Sequence, residues 1–301
     1  MKKVLNIYSA PMAGITDKPF RQILRKFSDA PIFTEMIGVE TLIHMHPKTQ
    51  KMLQIQDEQN IIVQLVGANP DSFAMATKMI ENIGAVGIDI NMGCPVKKLI
   101  QNCSGAELMR HAELAARLIE SVKNHTTLPV SVKTRLGWHS SNELKTFSQV
   151  LINAGVDQIE IHARTKEMGF SGLADWQAVG NCIDSISTPI IINGDIVNYE
   201  TAQEAMKLSH AQGVMIGRSL LGRPWKLFEI ATNSKIKYNM ADIILEHFDL
   251  MLSYYGKAGL FAFRKHLAWY AKNKKNVAAW REKMYLIEDV DVIKKMIVNF
   301  F

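Results

Sequence analysis

The stretch "GIDINMGCPVKKL", residues 87–99, carries an apolar–polar alternation into a glycine–cysteine–proline turn with two lysines behind it. Ile88 and Ile90 alternate with Asp89 and Asn91, the period of two that a strand requires. Gly93 and Pro95 end the strand. Cys94 therefore stands on a turn at the C-terminal end of a strand, with Lys97 and Lys98 opening the next segment.

The same unit recurs along the chain. Strand-like runs fall at 5–10, 32–36, 61–67, 87–91, 130–134, 158–162, 190–194 and 213–217. Segments with helical spacing lie between most of them, among them 72–85, 106–124, 143–155 and 199–209. Eight strands alternating with helices point to an α/β fold, a parallel (β/α)8 TIM barrel. A doubly wound open sheet is the alternative. No GxGxxG follows the first strand, so the usual sign of a dinucleotide fold is missing.

Strand-like runs stop at about residue 235. "ADIILEHFDLMLSYYG" (241–256) and "LFAFRKHLAWYAKNKK" (260–275) read as helices, followed by two shorter ones. The expected organisation is a barrel over residues 1–235 and a small helical bundle over 236–301. From Tyr254 to Lys283 there are eight Lys/Arg and one acid, Glu282, interleaved with Phe261, Phe263, Trp269, Tyr270 and Trp280. That excess suggests contact with nucleic acid. The plainer reading is a solvated basic face whose aromatics fill a core.

The 301 residues, 48% of them hydrophobic, suffice for one large core and a smaller one. A net charge of +6 favours a polyanionic partner. The cysteines are Cys94, Cys103 and Cys182, with no CxxC and no Cys/His pair at metal spacing. This argues against a disulfide framework or a zinc site and suits a reducing cytoplasm. The opening "MKKVLNIYSAPMAG" imitates a signal peptide, but Asn6, Tyr8 and Ser9 interrupt its apolar run. No stretch approaches the roughly 18 apolar residues of a membrane span. A cytoplasmic protein without membrane partner or metal is expected.

In a βα barrel the chemistry collects at the C-terminal ends of the strands. Here the first strand ends in Pro11-Met12-Ala13-Gly14, the second at Glu35, and the third carries Gln64. The fourth ends in Asn91 and the Cys94 turn, the fifth in Lys133 and Arg135, the sixth in His162 and Arg164. The seventh ends in Asn193-Gly194-Asp195 and the eighth in Gly217-Arg218. A merely structural barrel would show a blander rim. The last two ends bear glycine and precede helices, the usual phosphate site of such barrels. Lys133, Gln64 and His162 could then contact the rest of a phosphate-bearing cofactor. A lysine beside a flavin would stabilise the negative charge of the reduced ring. A PLP Schiff base at Lys133 stays open on these residues alone. So do an inert buried thiol at Cys94 and a core histidine at His162.

Eight motifs in order carry a resemblance. They are "APMAGITDKPFR" (10–21), "TEM" (34–36), "QLVG" (64–67), "DINMGCPVKK" (89–98), "VKTRLGW" (132–138), "IHARTKEMGFSG" (161–172), "INGDI" (192–196) and "VMIGRSLLGRPW" (214–225). Together they resemble the tRNA-dihydrouridine synthase family, and "RKHLAWY" (264–270) resembles its bacterial B-type subfamily. The resemblance implies an FMN-containing barrel followed by a helical tRNA-binding domain. It implies that NADPH is the electron donor for reducing the 5,6 double bond of a D-loop uridine, position 17 by the tail. Pro11, Met12, Ala13, Gln64, Lys133, Asn193, Gly194, Asp195, Gly217 and Arg218 match the family's FMN positions, with His162 beside the flavin. Cys94 matches the catalytic cysteine.

On that reading hydride passes from reduced FMN to C6 of the uracil, and Cys94 gives the proton to C5. A free thiol with a pKa near 8.5 is mostly protonated at neutral pH and can act as the general acid. Asn91 could hydrogen-bond the uracil edge. Lys97, Lys98, Arg135, Arg164 and, in the basic tail, Arg264 and Lys265 are the candidates to hold tRNA. One departure from the family pattern is "LIQNCSGAEL" (99–108), with a single Gly105 and a second thiol. A flavin barrel acting on a free pyrimidine or other small molecule is the alternative function, and the basic helical tail speaks against it. A monomer is expected, because one tRNA must enter an open barrel mouth.

Overall fold

The structure is a computed structural model that describes residues 4–183 and 186–301. Lys2 and Lys3, read above with the opening segment, lie outside the described residues. Nine strands form one parallel sheet: β1 Ile7–Ser9, β2 Ile32–Phe33, β3 Ile37–Gly38, β4 Ile61–Val66, β5 Gly87–Asn91, β6 Val130–Arg135, β7 Gln158–His162, β8 Ile190–Asn193 and β9 Gly213–Ile216. β1 pairs with both β2 and β9, and β2 also pairs with β4, which closes the sheet into a barrel. Closure removes the open-sheet alternative.

β2 and β3 lie end to end on β4, Ile32 against Ile61 and Ile37 against Leu65, so the two pieces make one stave of eight. The expected second strand, 32–36, is thus broken at Thr34 and resumes beyond Met36. The Thr34 hydroxyl accepts the Gln64 N–H at 3.1 Å, a side chain standing in for the backbone acceptor that the break removes. The expected helix 106–124 is also divided. A 3-10 turn, Gly105–Arg110, precedes the helix Ala112–Lys123, with His111 non-helical between them.

Alternation sorts the strand residues. Ile88, Ile90, Ile159 and Ile161 pack in one buried cluster with Leu118, Ile119 and Phe147 from the helices around the barrel. The opposite strand faces carry a smaller cluster, Ala10, Phe33, Ile62, Ile191 and Met215, against Tyr8. Polar residues take the remaining inward positions, towards the C-terminal ends.

Four helices follow the barrel: Met240–Tyr255, Lys257–Tyr270, Val277–Leu286 and Val290–Phe300. Their core includes Phe248, Phe263, Tyr270 and Trp280, and it continues into the barrel through Ile23, Phe27 and Trp225. Three of the five aromatics in the basic stretch are therefore core residues. The contact is close at Gly222, whose φ is +68°; a Cβ there would lie 2.3 Å from the backbone carbon of Trp269. Gly222→Ala is expected to destabilise the protein by about 2–4 kcal/mol, through left-handed strain and overpacking together. Chemical denaturation measures it, and an unchanged midpoint would refute the tight contact.

Candidate active site

A cavity of about 750 Å³ opens at the C-terminal end of the strands, within the range of a small-molecule or cofactor site. Its wall takes Pro11, Met12 and Ala13 after β1, Gln64 from β4, and Asn91 and Cys94 from β5 and its turn. Lys133 and Arg135 come from β6, His162 from β7, Asn193, Gly194 and Asp195 from β8 and its turn, and Gly217 and Arg218 after β9. Register explains the convergence. Asn91 pairs with Lys133 across β5 and β6, and Arg135, His162 and Asn193 are at one level across β6, β7 and β8.

Lys133 donates to Asn193 Oδ1 at 3.3 Å, while Asn193 Nδ2 donates to the Met215 carbonyl at 2.8 Å. Burial, then the Arg135 charge, lowers the Lys133 ammonium to about 8 against the pull of Glu160 and Asp89. Burial and the same cations hold His162 far below its usual range, so the ring is neutral. Arg164 Nη1 lies 3.2 Å from His162 Nε2. A guanidinium can only donate, so Nε2 accepts and the ring proton is on Nδ1.

Cys94 is half-buried, and burial pushes its thiol up against the Val96 backbone hydrogen bond and the nearby Arg135 and Lys133. It is therefore a protonated thiol at neutral pH. Its turn is held on several sides. The Gly93 and Cys94 N–H groups donate to Asn91 Oδ1 at 3.2 and 3.0 Å. Arg135 Nε donates to the Gly93 carbonyl at 2.7 Å, and Ala106 N–H to the Cys94 carbonyl at 3.0 Å. The single glycine of the following loop is needed there: Gly105 has φ +63°, and a Cβ would lie 2.7 Å from the Cys94 carbonyl oxygen. Cys103 is exposed.

The backbone N–H groups of Gly194, Asp195 and Gly217 donate to no protein acceptor among the described residues. A Cβ built on Gly217 would stand in ordinary van der Waals contact with Ala10, 3.5 Å away. Asp195 is pushed up by burial, but hydrogen bonds from Arg164 and the Ala174 N–H outweigh this and hold its carboxyl below its usual value. Unpartnered N–H groups, a flanking Arg218 and the half-buried Lys133 ammonium fit an anionic, phosphate-bearing cofactor such as FMN.

The other cations expected to bind substrate are placed differently. Arg164 is 2% exposed and off the cavity wall. It pairs with Asp195 and donates to the Gly172 carbonyl at 2.8 Å, bracing the loops after β7 and β8. Arg135 lines the cavity but spends its guanidinium on the Gly93, Thr165 and Gly169 carbonyls. Lys265 donates to the Gly14 carbonyl, and Gly14 N–H donates to Glu35, so the loop after β1 is clasped from two sides. Arg264 lies over the Phe261 and Tyr285 rings within the helical bundle. Lys97 and Lys98 are exposed on the helix Lys97–Gln101, off the cavity wall.

Other residues of the wall were not singled out from sequence. Arg223, Lys226 and Lys272 bring three more cations to it. Phe170 is 63% exposed, with the Arg135 and Arg218 guanidinium carbons 5.5 and 5.7 Å from its ring centre. Lys272 belonged to the basic run and Arg223 to "GRPW", but neither spacing says which cations turn to the barrel. Among the described residues no three His, Cys, Asp or Glu side chains gather as a metal site. No described helix is long and apolar enough to cross a membrane.

Comparison with known proteins bears on this geometry. A model of the dihydrouridine synthase family (Dus) matches residues 8–299. A "Probable tRNA-dihydrouridine synthase" of Rickettsia bellii is 36% identical, over 98% of this chain and 94% of that one. A protein of the same description from Rhodobacter capsulatus is 38% identical, over 87% and 85%. The "tRNA-dihydrouridine synthase B" of Pasteurella multocida is 32% identical, over 94% and 89%. Among solved structures, histamine dehydrogenase from Rhizobium sp. 4-9 shares the fold at a TM-score of 0.58 and 14% identity. The match covers 81% of this chain and 49% of that one, so this chain spans about half its length.

Proposed function

The chain belongs to the dihydrouridine synthase family, and from that premise we propose that it is an FMN-dependent tRNA-dihydrouridine synthase, reducing the 5,6 double bond of a D-loop uridine with NADPH as electron donor. One observation carries the reading: a protonated thiol, Cys94, shares a cavity with a half-buried lysine, Lys133, and a cradle of unpartnered N–H groups. The N–H groups of Gly194, Asp195 and Gly217, with Arg218, would hold the phosphate of FMN. Gln64, Lys133, His162 and Asn193 would hold its ring, and Pro11, Met12 and Ala13 would border it. When bound, the flavin supplies the electron pair for the double bond.

The chain's own residues do the rest. Cys94 delivers a proton to C5 of the uracil from its Sγ–H. Asn91 orients the base, and Lys133 keeps a positive charge where negative charge develops. A uridine in folded tRNA must leave its stack to enter the cavity. Arg223, Lys226 and Lys272, all on the cavity wall, would take the phosphates around it. The helical region 236–301 is the proposed tRNA-binding domain beside a barrel over 1–235, in a monomer.

The test is a visible spectrum of the purified protein, NADPH added without air, and then tRNA lacking dihydrouridine. Flavin bands that bleach, followed by dihydrouridine formation, are expected. Three phosphate contacts would give a slope of log affinity on log salt of about −2. A colourless protein that FMN cannot reconstitute would remove the reading. Turnover of free uridine in preference to tRNA would replace the substrate.

A further inference from the structure

We infer that Asp89, which does not reach the cavity, is a positioning residue: it fixes the orientation of the Gln64 and Asn91 side-chain amides and through them holds the Cys94 turn. The inference rests on reading Cys94 as the proton donor.

The chain of hydrogen bonds has one sense, set from its far end. The Gly93 and Cys94 N–H groups can only donate, so Asn91 must turn Oδ1 towards them, at 3.2 and 3.0 Å. Asn91 Nδ2 is left facing Gln64 and donates to its Oε1 at 2.8 Å. Gln64 Nε2 then points at Asp89, whose Oδ2 accepts at 2.6 Å. The Ser131 hydroxyl donates to the other carboxylate oxygen at 2.8 Å. Asp89 is wholly buried, Gln64 is 1% exposed and Asn91 8%, so water is a poor substitute for any link. Without an acceptor at position 89, the Gln64 amide can turn over and set its NH2 against that of Asn91. The turn then loses the acceptor that ties down two of its N–H groups.

Asp89 has to be an acceptor for this to hold, and its surroundings keep it one. Glu160 is the second buried carboxyl here, with Lys133 the neighbouring cation. Two carboxylates beside one ammonium leave a proton on one acid. Burial and the Asp89 charge push Glu160 well above the carboxylate range, and its side chain shares a hydrogen bond with Asp89 in which a protonated Glu160 is the donor. Burial raises Asp89 too, but Gln64 and Ser131 both donate to it and pull the other way. The proton therefore belongs to Glu160. A consequence follows at the cavity: the Asn91 oxygen is already occupied, so this amide can offer a substrate only an N–H. That suits a pyrimidine carbonyl and opposes an exocyclic amino group.

The test compares Asp89→Asn with Asp89→Leu in the FMN-loaded enzyme. Asparagine keeps an acceptor oxygen without the charge; leucine has similar volume and no acceptor. The readouts are kcat and KM on tRNA, and the iodoacetamide alkylation rate of Cys94 in a Cys103→Ser, Cys182→Ser background. The leucine variant is expected to lose about 10–100-fold in kcat with KM for tRNA nearly unchanged, the scale of lost outer-shell support. Its Cys94 alkylation rate should shift by about threefold or more, while the asparagine variant recovers most of both. Parent-like behaviour of both variants overturns the inference. So does an asparagine variant as impaired as the leucine one, since charge and not an acceptor would then matter. Should the leucine variant fail to fold, ¹⁵N NMR of the unaltered protein decides: one N–H each of Gln64 and Asn91 must be protected from exchange. Free exchange of both amides overturns the relay. Full turnover by Cys94→Ala would remove the proton-donor reading, and the alkylation comparison would still judge the relay.

Discussion

Cys94→Ala is expected to cut dihydrouridine formation about 10²–10⁴-fold, the usual worth of a positioned general acid, while FMN content and tRNA affinity stay near those of the parent. The thiol is the acid because it is protonated and faces the cavity; burial raises its pKa, so the proton is present throughout the neutral range. Removing the sulfur leaves the backbone of the turn in place. The N–H groups of residues 93 and 94 still reach Asn91, Arg135 still reaches the Gly93 carbonyl, and Gly105 still leaves room for the carbonyl of residue 94. The loss should therefore appear in kcat and spare KM. Cys94→Ser should be intermediate at best, since a hydroxyl gives up its proton far less readily. Single-turnover assays on tRNA lacking dihydrouridine measure the effect. Dihydrouridine formed by the alanine variant at the parent's rate would end the proton-donor role.

The parts of this site that were legible in sequence are those fixed by local period. In "GIDIN" the alternation alone sends Asp89 and Asn91 to the side opposite Ile88 and Ile90, and a glycine–proline turn puts Cys94 at the rim. Closure of eight staves then brings strand ends far apart in sequence onto one cavity, which is why Gln64, Lys133 and Asn193 could be named together. What the local pattern does not encode is which cation a distant carbonyl captures. Arg164 and Arg135 stand at strand ends and look substrate-facing. The loop after β7 folds back and presents the carbonyls of Thr165, Gly169, Ser171 and Gly172, which turn both into struts. Lys265 is taken in the same way by Gly14, and Lys272, seven residues on, is left at the cavity. The break in the second stave was hidden for a similar reason: it depends on the Thr34 hydroxyl meeting the N–H of Gln64, thirty residues away. Asp89 sat inside a quoted motif, but its partners Gln64, Ser131 and Glu160 come from three other strands.

Lys133→Met is expected to weaken FMN binding about 10–100-fold, since a hydrogen bond to a charged group is worth about 1.5–3 kcal/mol. The same side chain sets two opposite pH dependences. Burial, then Arg135, lowers the folded-state value to about 8, against about 10.4 for a free lysine. An anionic cofactor prefers the protonated form, so affinity is full below about pH 8 and falls as pH rises through it. Stability of the protein without FMN runs the other way. Between about pH 8 and 10.4 the unfolded chain holds the lysine proton and the folded chain has lost it, so unfolding binds a proton and stability rises with pH. Calorimetric titration of FMN at pH 7, 8 and 9 reads the first trend, and urea melts of the FMN-free protein at pH 8 to 10 read the second. The methionine variant removes the lysine's share of both, which separates it from Glu160 and Cys94. FMN affinity that ignores both pH and the substitution would take Lys133 out of the cofactor site.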